Sequence, residues 1–105
     1  MIVIRDILEV DNDKLAAAEP FVRDLGIAGA NVGLGSARVM RDRTDAYFAR
    51  TDRPGRLVIE REFPSLDSFT ERTSSARANE QWQAAWIACK PYVRRAWREV
   101  LDTVE

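Results

Sequence analysis

The chain of 105 residues contains no histidine and only one cysteine, Cys89. Without histidine it lacks the usual general base of enzymes, the commonest metal ligand and the usual axial ligand of haem. A single cysteine allows neither an internal disulfide bond nor a cluster of thiolates around a metal ion. We therefore expect no metal, no cofactor and a reducing, cytoplasmic location. Cys89 lies on an apolar stripe, where an inert core thiol is expected.

An excess of charge of one sign is also missing. The chain has 16 Lys and Arg residues and 17 Asp and Glu residues, so its net charge is −1. Such a balance gives no general attraction to nucleic acid or to an anionic membrane surface. The apolar run at the N-terminus is interrupted by Arg5, Asp6 and Glu9, and it is too short for a signal peptide or a membrane span. We expect no nucleic-acid partner and no membrane association.

What the sequence does contain is typical of one globular domain over residues 1–105. Apolar residues make up 46% of the chain and charged residues 31%. Residues 2–10, 36–44, 56–63 and 93–104 have the composition of strands. Residues 11–26 predict a helix capped by Asp11 or Asp13, kinked or broken at Pro20 and stopped at Gly26. Residues 64–91 predict a second, longer helical segment that begins at Ser65 and bends near 76–79.

The element order β-α-β-β-α-β predicts an α+β, ferredoxin-like fold. In it a four-stranded antiparallel sheet carries both helices on one face. The other face is left bare, and we expect it to present Val58, Val100, Glu60 and Arg98. A second subunit's sheet can cover such a face, so the sequence predicts a homodimer in which two sheets close into a barrel around a cavity.

Four segments resemble the dimeric α+β barrel superfamily, in particular its NIPSNAP-like and antibiotic-biosynthesis-monooxygenase-like branches. They are "GSARVMR", "GRLVIEREFPSLDSF", "NEQWQAAW" and "RRAWREVL", within residues 35–104. The residues at matching positions are Glu62, Phe63, Ser65, Leu66, Phe69, Trp82, Arg95 and Glu99. The resemblance implies a homodimer with a pocket inside each half of the barrel. Several related enzymes act on aromatic or polyketide-like molecules, some without a cofactor, whereas haem-degrading relatives hold iron with a histidine that this chain lacks.

The stretch "AGANVGLG", residues 28–35, holds three of the five glycines. A phosphate-binding loop needs N–H groups that converge at the start of a following helix. Here a helix precedes the glycines and a strand follows them. We interpret the stretch as a flexible connection at the edge of the barrel, which can act as a lid.

Candidate pocket residues fall into three groups. The tryptophans Trp82, Trp86 and Trp97 would suit a flat apolar ligand or would pack in the core. Glu60 and Glu62, with Arg98 nearby, would bind a polar group, supply a general base, or form a structural ion pair, and Arg38 presents the same choice. Tyr47 would offer a hydroxyl for proton transfer or would pack on a hairpin.

These observations predict a small-molecule-binding protein. One hypothesis is a cofactor-independent monooxygenase, isomerase or cyclase that acts on a hydrophobic or aromatic metabolite in a barrel pocket. The alternative is a non-catalytic homodimer, either one that binds a ligand or a structural or regulatory one whose barrel is filled by side chains.

Overall fold

The structure, a computed structural model, describes residues 1–48 and 53–104. Within them, four antiparallel strands form one sheet in the order β2-β3-β1-β4. The strands are β1 (Ile2–Val10), β2 (Arg38–Arg41), β3 (Gly55–Phe63) and β4 (Val93–Asp102). The helices are α1 (Leu15–Gly29), the single turn α2 (Thr44–Tyr47), α3 (Leu66–Arg77) and α4 (Glu80–Cys89). The predicted ferredoxin-like α+β fold is confirmed.

Strand alternation places the core on one face of the sheet. Leu8 and Val10 of β1 and Leu57 and Ile59 of β3 pack against Val22 of α1. Towards the other end of the same face, the apolar residues of the two strands meet α3 through Phe69 and Ala76. Side chains of a strand alternate between faces, so these contacts identify the face that the helices cover.

Helix α1 continues through Pro20 and Gly26 to Gly29. Of the two alternatives predicted for Pro20, a kink or a break, the break is therefore wrong, and so is the predicted stop at Gly26. Proline deprives the carbonyl of Ala16 of its helical N–H donor. Pro20 and Ala16 both lie on the exposed side of the helix, where water can bond that carbonyl instead. Neither expected cap forms: the Asp11 side chain accepts no bond from the helix start, and α1 begins after Lys14 rather than after Asp13, with no side-chain cap.

The predicted long helical segment is two helices, because Asn79 begins a new one. Its Oδ1 atom accepts hydrogen bonds from the backbone N–H groups of Gln81 (2.8 Å) and Trp82 (3.3 Å). Ser65 caps α3 as expected, with Oγ accepting from the N–H of Ser68 at 3.1 Å. The break allows α4 to turn its tryptophans towards the sheet independently of α3.

The face of the sheet opposite the helices, here called the open face, carries an apolar row across all four strands. Met40, Val58, Ile7 and Trp97 are paired in register across β2, β3, β1 and β4. The neighbouring row alternates in charge, with Arg38, Glu60, Arg5 and Glu99 in register.

The prediction that Arg98 and Val100 lie on the open face is wrong. Arg98 pairs in register with Asp6 of β1, and its guanidinium lies 5.0 Å from the centre of the Phe69 ring of α3. Val100, two residues further along β4, shares this helix-covered face. The two alternating residue sets of β4 are both mixtures of apolar and charged residues, so the pattern of β4 alone cannot tell its faces apart.

No helix within the described ranges combines the length and the apolar composition that crossing a membrane requires.

Candidate functional site

A cavity of about 460 Å³ lies between the helix-covered face of the sheet and the helices. Its volume falls within the range of small-molecule sites. One side of the cavity is apolar, formed by Leu8, Leu25, Leu34, Ile59, Ala76, Trp82, Trp86 and Ala96. The other side is polar, formed by Asp6, Arg61, Thr73, Arg77 and Arg98. An apolar wall facing a small set of polar groups is the usual composition of a ligand pocket.

Arg61 is the most deeply buried charge of the cavity, with 7% of its surface exposed. Its Nη2 atom donates to the carbonyl of Gly26 at 2.9 Å, and its Nε atom donates to the carbonyl of Gly35 at 3.4 Å. Burial lowers the pKa of Arg61, an effect that the nearby Asp6 opposes and the nearby Arg98 reinforces. The group is therefore a buried cation held by backbone carbonyl groups.

The glycines at the end of α1 make room for this guanidinium. A Cβ atom at Gly29 would lie 2.9 Å from Cζ of Arg61, closer than packed atoms approach. Gly33 and Gly35 adopt positive φ angles of 97° and 82°, which bring the chain back past the guanidinium at little steric cost. The carbonyls of Gly26 and Gly35 thus form a cradle for Arg61, a role that the sequence did not indicate. The interpretation of residues 28–35 as a flexible connection is wrong at its start, because α1 extends to Gly29 and a further helical turn covers Ala30–Leu34.

Asp6 and Arg98 form a two-point ion pair beside Arg61. Nε and Nη2 of Arg98 donate to the two carboxylate oxygens of Asp6 at 2.6 and 3.3 Å. The pair joins neighbouring strands β1 and β4, and the ring of Phe69 supports the guanidinium from α3. Both side chains are held in place by these contacts at the edge of the cavity.

Trp82 and Trp86 lie one helical turn apart on α4, and both border the cavity. Both are half-buried and also pack against the hydrophobic core. The two roles weighed for them from the sequence, core packing and pocket lining, are therefore compatible.

Trp97 borders the same cavity, but strand alternation and its neighbours put its ring on the open face. There the guanidinium groups of Arg56 and Arg95 lie 5.3 and 4.6 Å from the ring centre. Such cation–π contacts keep the indole covered without placing it in the cavity.

The acidic candidates are not part of the cavity. Glu60 lies on the open face and is only 6% exposed. Its carboxylate accepts a hydrogen bond from Nε of Arg5 at 2.8 Å and forms an ion pair with Arg38. Hydrogen bonds from Arg38 and Arg5 lower the pKa of Glu60, so it stays ionised and is a weak base. Glu62 is exposed on the same face. The expected grouping of Glu60 and Glu62 with Arg98 does not form, because Arg98 is on the other face.

Two further candidates lie away from the cavity. Tyr47 is 84% exposed in α2, edge-to-face with Phe48 at a centroid distance of 5.0 Å. Arg38 is occupied by its ion pair with Glu60 on the open face.

Cys89 is fully buried in the core, and burial raises the pKa of its thiol to about 11, as an unreactive core cysteine requires.

Four polar residues of the cavity were missed as site candidates from the sequence: Asp6, Arg61, Thr73 and Arg77. Two of them carry a signal. Asp6 interrupts the inward set Ile2, Ile4, Leu8 and Val10, and Arg61 interrupts Leu57, Ile59 and Phe63. A charge on the inward face of a strand is costly unless it has a partner or a function. The sequence of β3 alone shows that Arg61 interrupts an apolar set. For Asp6 the interruption can be recognised only when it is known which face of β1 points inwards.

Among the described residues no group of three or more His, Cys, Asp or Glu side chains is arranged to hold a metal ion.

No protein-family model matches the chain, and no curated protein sequence matches it. Solved structures do match. A NIPSNAP family protein from Agrobacterium tumefaciens is 21% identical, with a TM-score of 0.75 over 99% of this chain and 86% of that one. A NIPSNAP domain protein from Burkholderia xenovorans is 16% identical, with a TM-score of 0.75 over 99% and 95% of the two chains.

A structure described as an antibiotic biosynthesis monooxygenase is 15% identical, with a TM-score of 0.71 over the full length of both chains. The resemblance to NIPSNAP and antibiotic-biosynthesis-monooxygenase proteins is thus confirmed in three dimensions. At these identities the likeness concerns the fold. This chain has the ferredoxin-like fold that proteins of both groups share.

Proposed function

We propose that this protein binds a small, flat, hydrophobic molecule in the cavity between its sheet and its helices. The observation that carries the proposal is the cavity itself, about 460 Å³ with Trp82 and Trp86 on its apolar side. A concave site of this volume is within the size range of small-molecule pockets. Indole rings offer broad, rigid surfaces for stacking on an aromatic ligand.

We also propose that the protein acts as a homodimer joined through the open face. The apolar row of Met40, Val58, Ile7 and Trp97 spans the whole width of the sheet. Its flanking row of alternating charges is suited to pairing with the same row of a second copy. Apolar centres bordered by polar rims are characteristic of specific interfaces. The similarity to the dimeric α+β barrel proteins supports the same arrangement.

A cofactor-independent reaction on an aromatic metabolite is a second candidate function for this cavity. The solved structure described as an antibiotic biosynthesis monooxygenase, similar in fold over its full length, favours it. Asp6 is the one carboxylate among the described residues that line the cavity, and Arg98 already binds it at two points. If the protein is an enzyme, positioning of the substrate is therefore the main contribution that these side chains can make.

Binding can be measured with N-phenyl-1-naphthylamine, a neutral fluorophore that brightens in apolar surroundings. We expect the wild-type protein to bind it saturably, with one probe per chain. Ala96 lines the cavity at an exposed point of β4, so Ala96→Phe should block the opening with little disturbance of the core. Binding should weaken by about tenfold or more, the effect of about 1.4 kcal/mol of lost contact.

The matched control is Ala84→Phe, the same change at an exposed position of α4 that does not line the cavity. It should leave probe affinity unchanged. Absence of saturable binding in the wild type, or equal affinity in the wild type and Ala96→Phe, would contradict the proposed site.

A further inference from the structure

We infer that the ligand of this cavity carries a negatively charged group, most simply a carboxylate on an aromatic or otherwise flat apolar body. This inference rests on the proposed function, since it concerns the same cavity. It adds the charge of the ligand and the side chains that recognise it.

The charge balance of the cavity is the first observation that supports an anionic ligand. Three guanidinium groups line it, those of Arg61, Arg77 and Arg98, against one carboxylate, that of Asp6, among the described residues. That carboxylate is already bound at two points by Arg98. In the described part of the chain, no carboxylate oxygen lies within 4.0 Å of a guanidinium nitrogen of Arg61, the distance that defines an ion pair. The cavity therefore contains a buried cation that forms no direct ion pair with a described residue.

The second supporting observation is that Arg61 has N–H groups that are not used in hydrogen bonds with the described residues. A guanidinium has five N–H groups, and the cradle of glycine carbonyls uses the Nε and Nη2 atoms. The Nη1 atom makes no hydrogen bond with any described residue, and it is not sealed from solvent. A buried cation costs free energy unless an anion compensates it. A carboxylate that enters the cavity can accept from Nη1 and neutralise this charge, in the charge-assisted geometry that arginine favours.

The position of the charges relative to the tryptophans defines the shape of the ligand. Arg61, Arg98 and Asp6 lie on the sheet, while Trp82 and Trp86 lie on α4 across the cavity. A ligand bound between them has its anionic end at the sheet and its flat apolar body against the indoles. Asp6 competes with such an anion for Arg98, so it weakens binding of the anion while leaving a neutral ligand unaffected.

The test compares 2-naphthoate with 2-naphthamide, which have nearly the same shape and differ in charge, as competitors of N-phenyl-1-naphthylamine. We expect the wild-type protein to bind the naphthoate at least about tenfold more tightly. Asp6→Asn should raise naphthoate affinity several-fold and leave naphthamide affinity unchanged. Arg61→Gln should abolish the preference for the naphthoate.

Controls separate recognition from folding. Arg72→Gln removes a charge from an exposed position of α3 outside the cavity lining, and it should leave the preference intact. If Arg61→Gln does not fold, the different responses expected in Asp6→Asn, a gain for the naphthoate and no change for the naphthamide, still decide the question. Equal affinities of the wild type for naphthoate and naphthamide would overturn the inference while leaving the pocket in place. Failure of all three probes to bind would instead overturn the proposed function.

Discussion

Replacing Gly29 with Ala lowers the free energy of unfolding by about 2 kcal/mol, within the usual cost of forcing an extra methyl group into a packed site. Gly29 has helical backbone angles, φ −61° and ψ −43°, so the backbone itself would accept alanine. In an open helix the change would stabilise by up to about 1 kcal/mol. Here the new Cβ atom would lie 2.9 Å from Cζ of Arg61 and 3.2 Å from Cδ1 of Leu34. The collision with the buried guanidinium therefore decides the sign.

Urea unfolding measures this effect, and a second background isolates its cause. In an Arg61→Ala background the collision partner is gone, so Gly29→Ala should become neutral or stabilising. Gly26→Ala is a comparison in the same helix, where the nearest atom to a new Cβ is Cγ2 of Val39 at 3.3 Å. Its cost should be clearly smaller. An equal loss from Gly29→Ala with and without Arg61 would show that the cradle is not the reason for this glycine.

Replacing Val58 with Arg converts the proposed dimer into monomers. Val58 occupies the centre of the apolar row, in register with Met40 on one side and Ile7 on the other. A guanidinium there would be buried against a second apolar row without a partner. The penalty of about 3 kcal/mol or more corresponds to at least a hundredfold weaker association.

Light scattering coupled to size exclusion measures the mass directly. The matched control is Val104→Arg, the same substitution at a position that is 94% exposed beyond the end of β4. It should leave the dimer intact, and circular dichroism should show both variants folded. A Val58→Arg protein that keeps the mass of the wild-type dimer would place the interface elsewhere.

The fold could be predicted from the sequence because its strands and helices have distinct patterns. The predicted bounds of β1 are those observed, since apolar residues occupy both of its ends and the acidic residue Asp11 follows the last of them. The division of the second helical segment was only half visible. Asn79 followed by Glu80 is a helix start signal, but an apolar stripe that continues through residue 89 conceals it.

The cavity could not be predicted in the same way. Its polar side exists because Arg98 of β4 pairs with Asp6 of β1. That register is set when the two strands pair, so the sequence of either strand alone does not reveal it. Arg61 was recognisable as a charge on an apolar face. Its partners are backbone carbonyls of glycines more than 25 residues away, and carbonyl groups carry no residue-type signature. The ligand-binding candidates Trp82 and Trp86 were accessible because large aromatic residues at helical spacing stand out in any sequence.

The central claim, a ligand cavity within each subunit of a dimer, is tested most directly by native mass spectrometry of the protein mixed with N-phenyl-1-naphthylamine. We predict a dimer that carries two probe molecules, and an Ala96→Phe dimer that carries clearly less probe under the same conditions. A wild-type protein that takes up no probe, or an Ala96→Phe protein that takes up as much as the wild type, would contradict the claim.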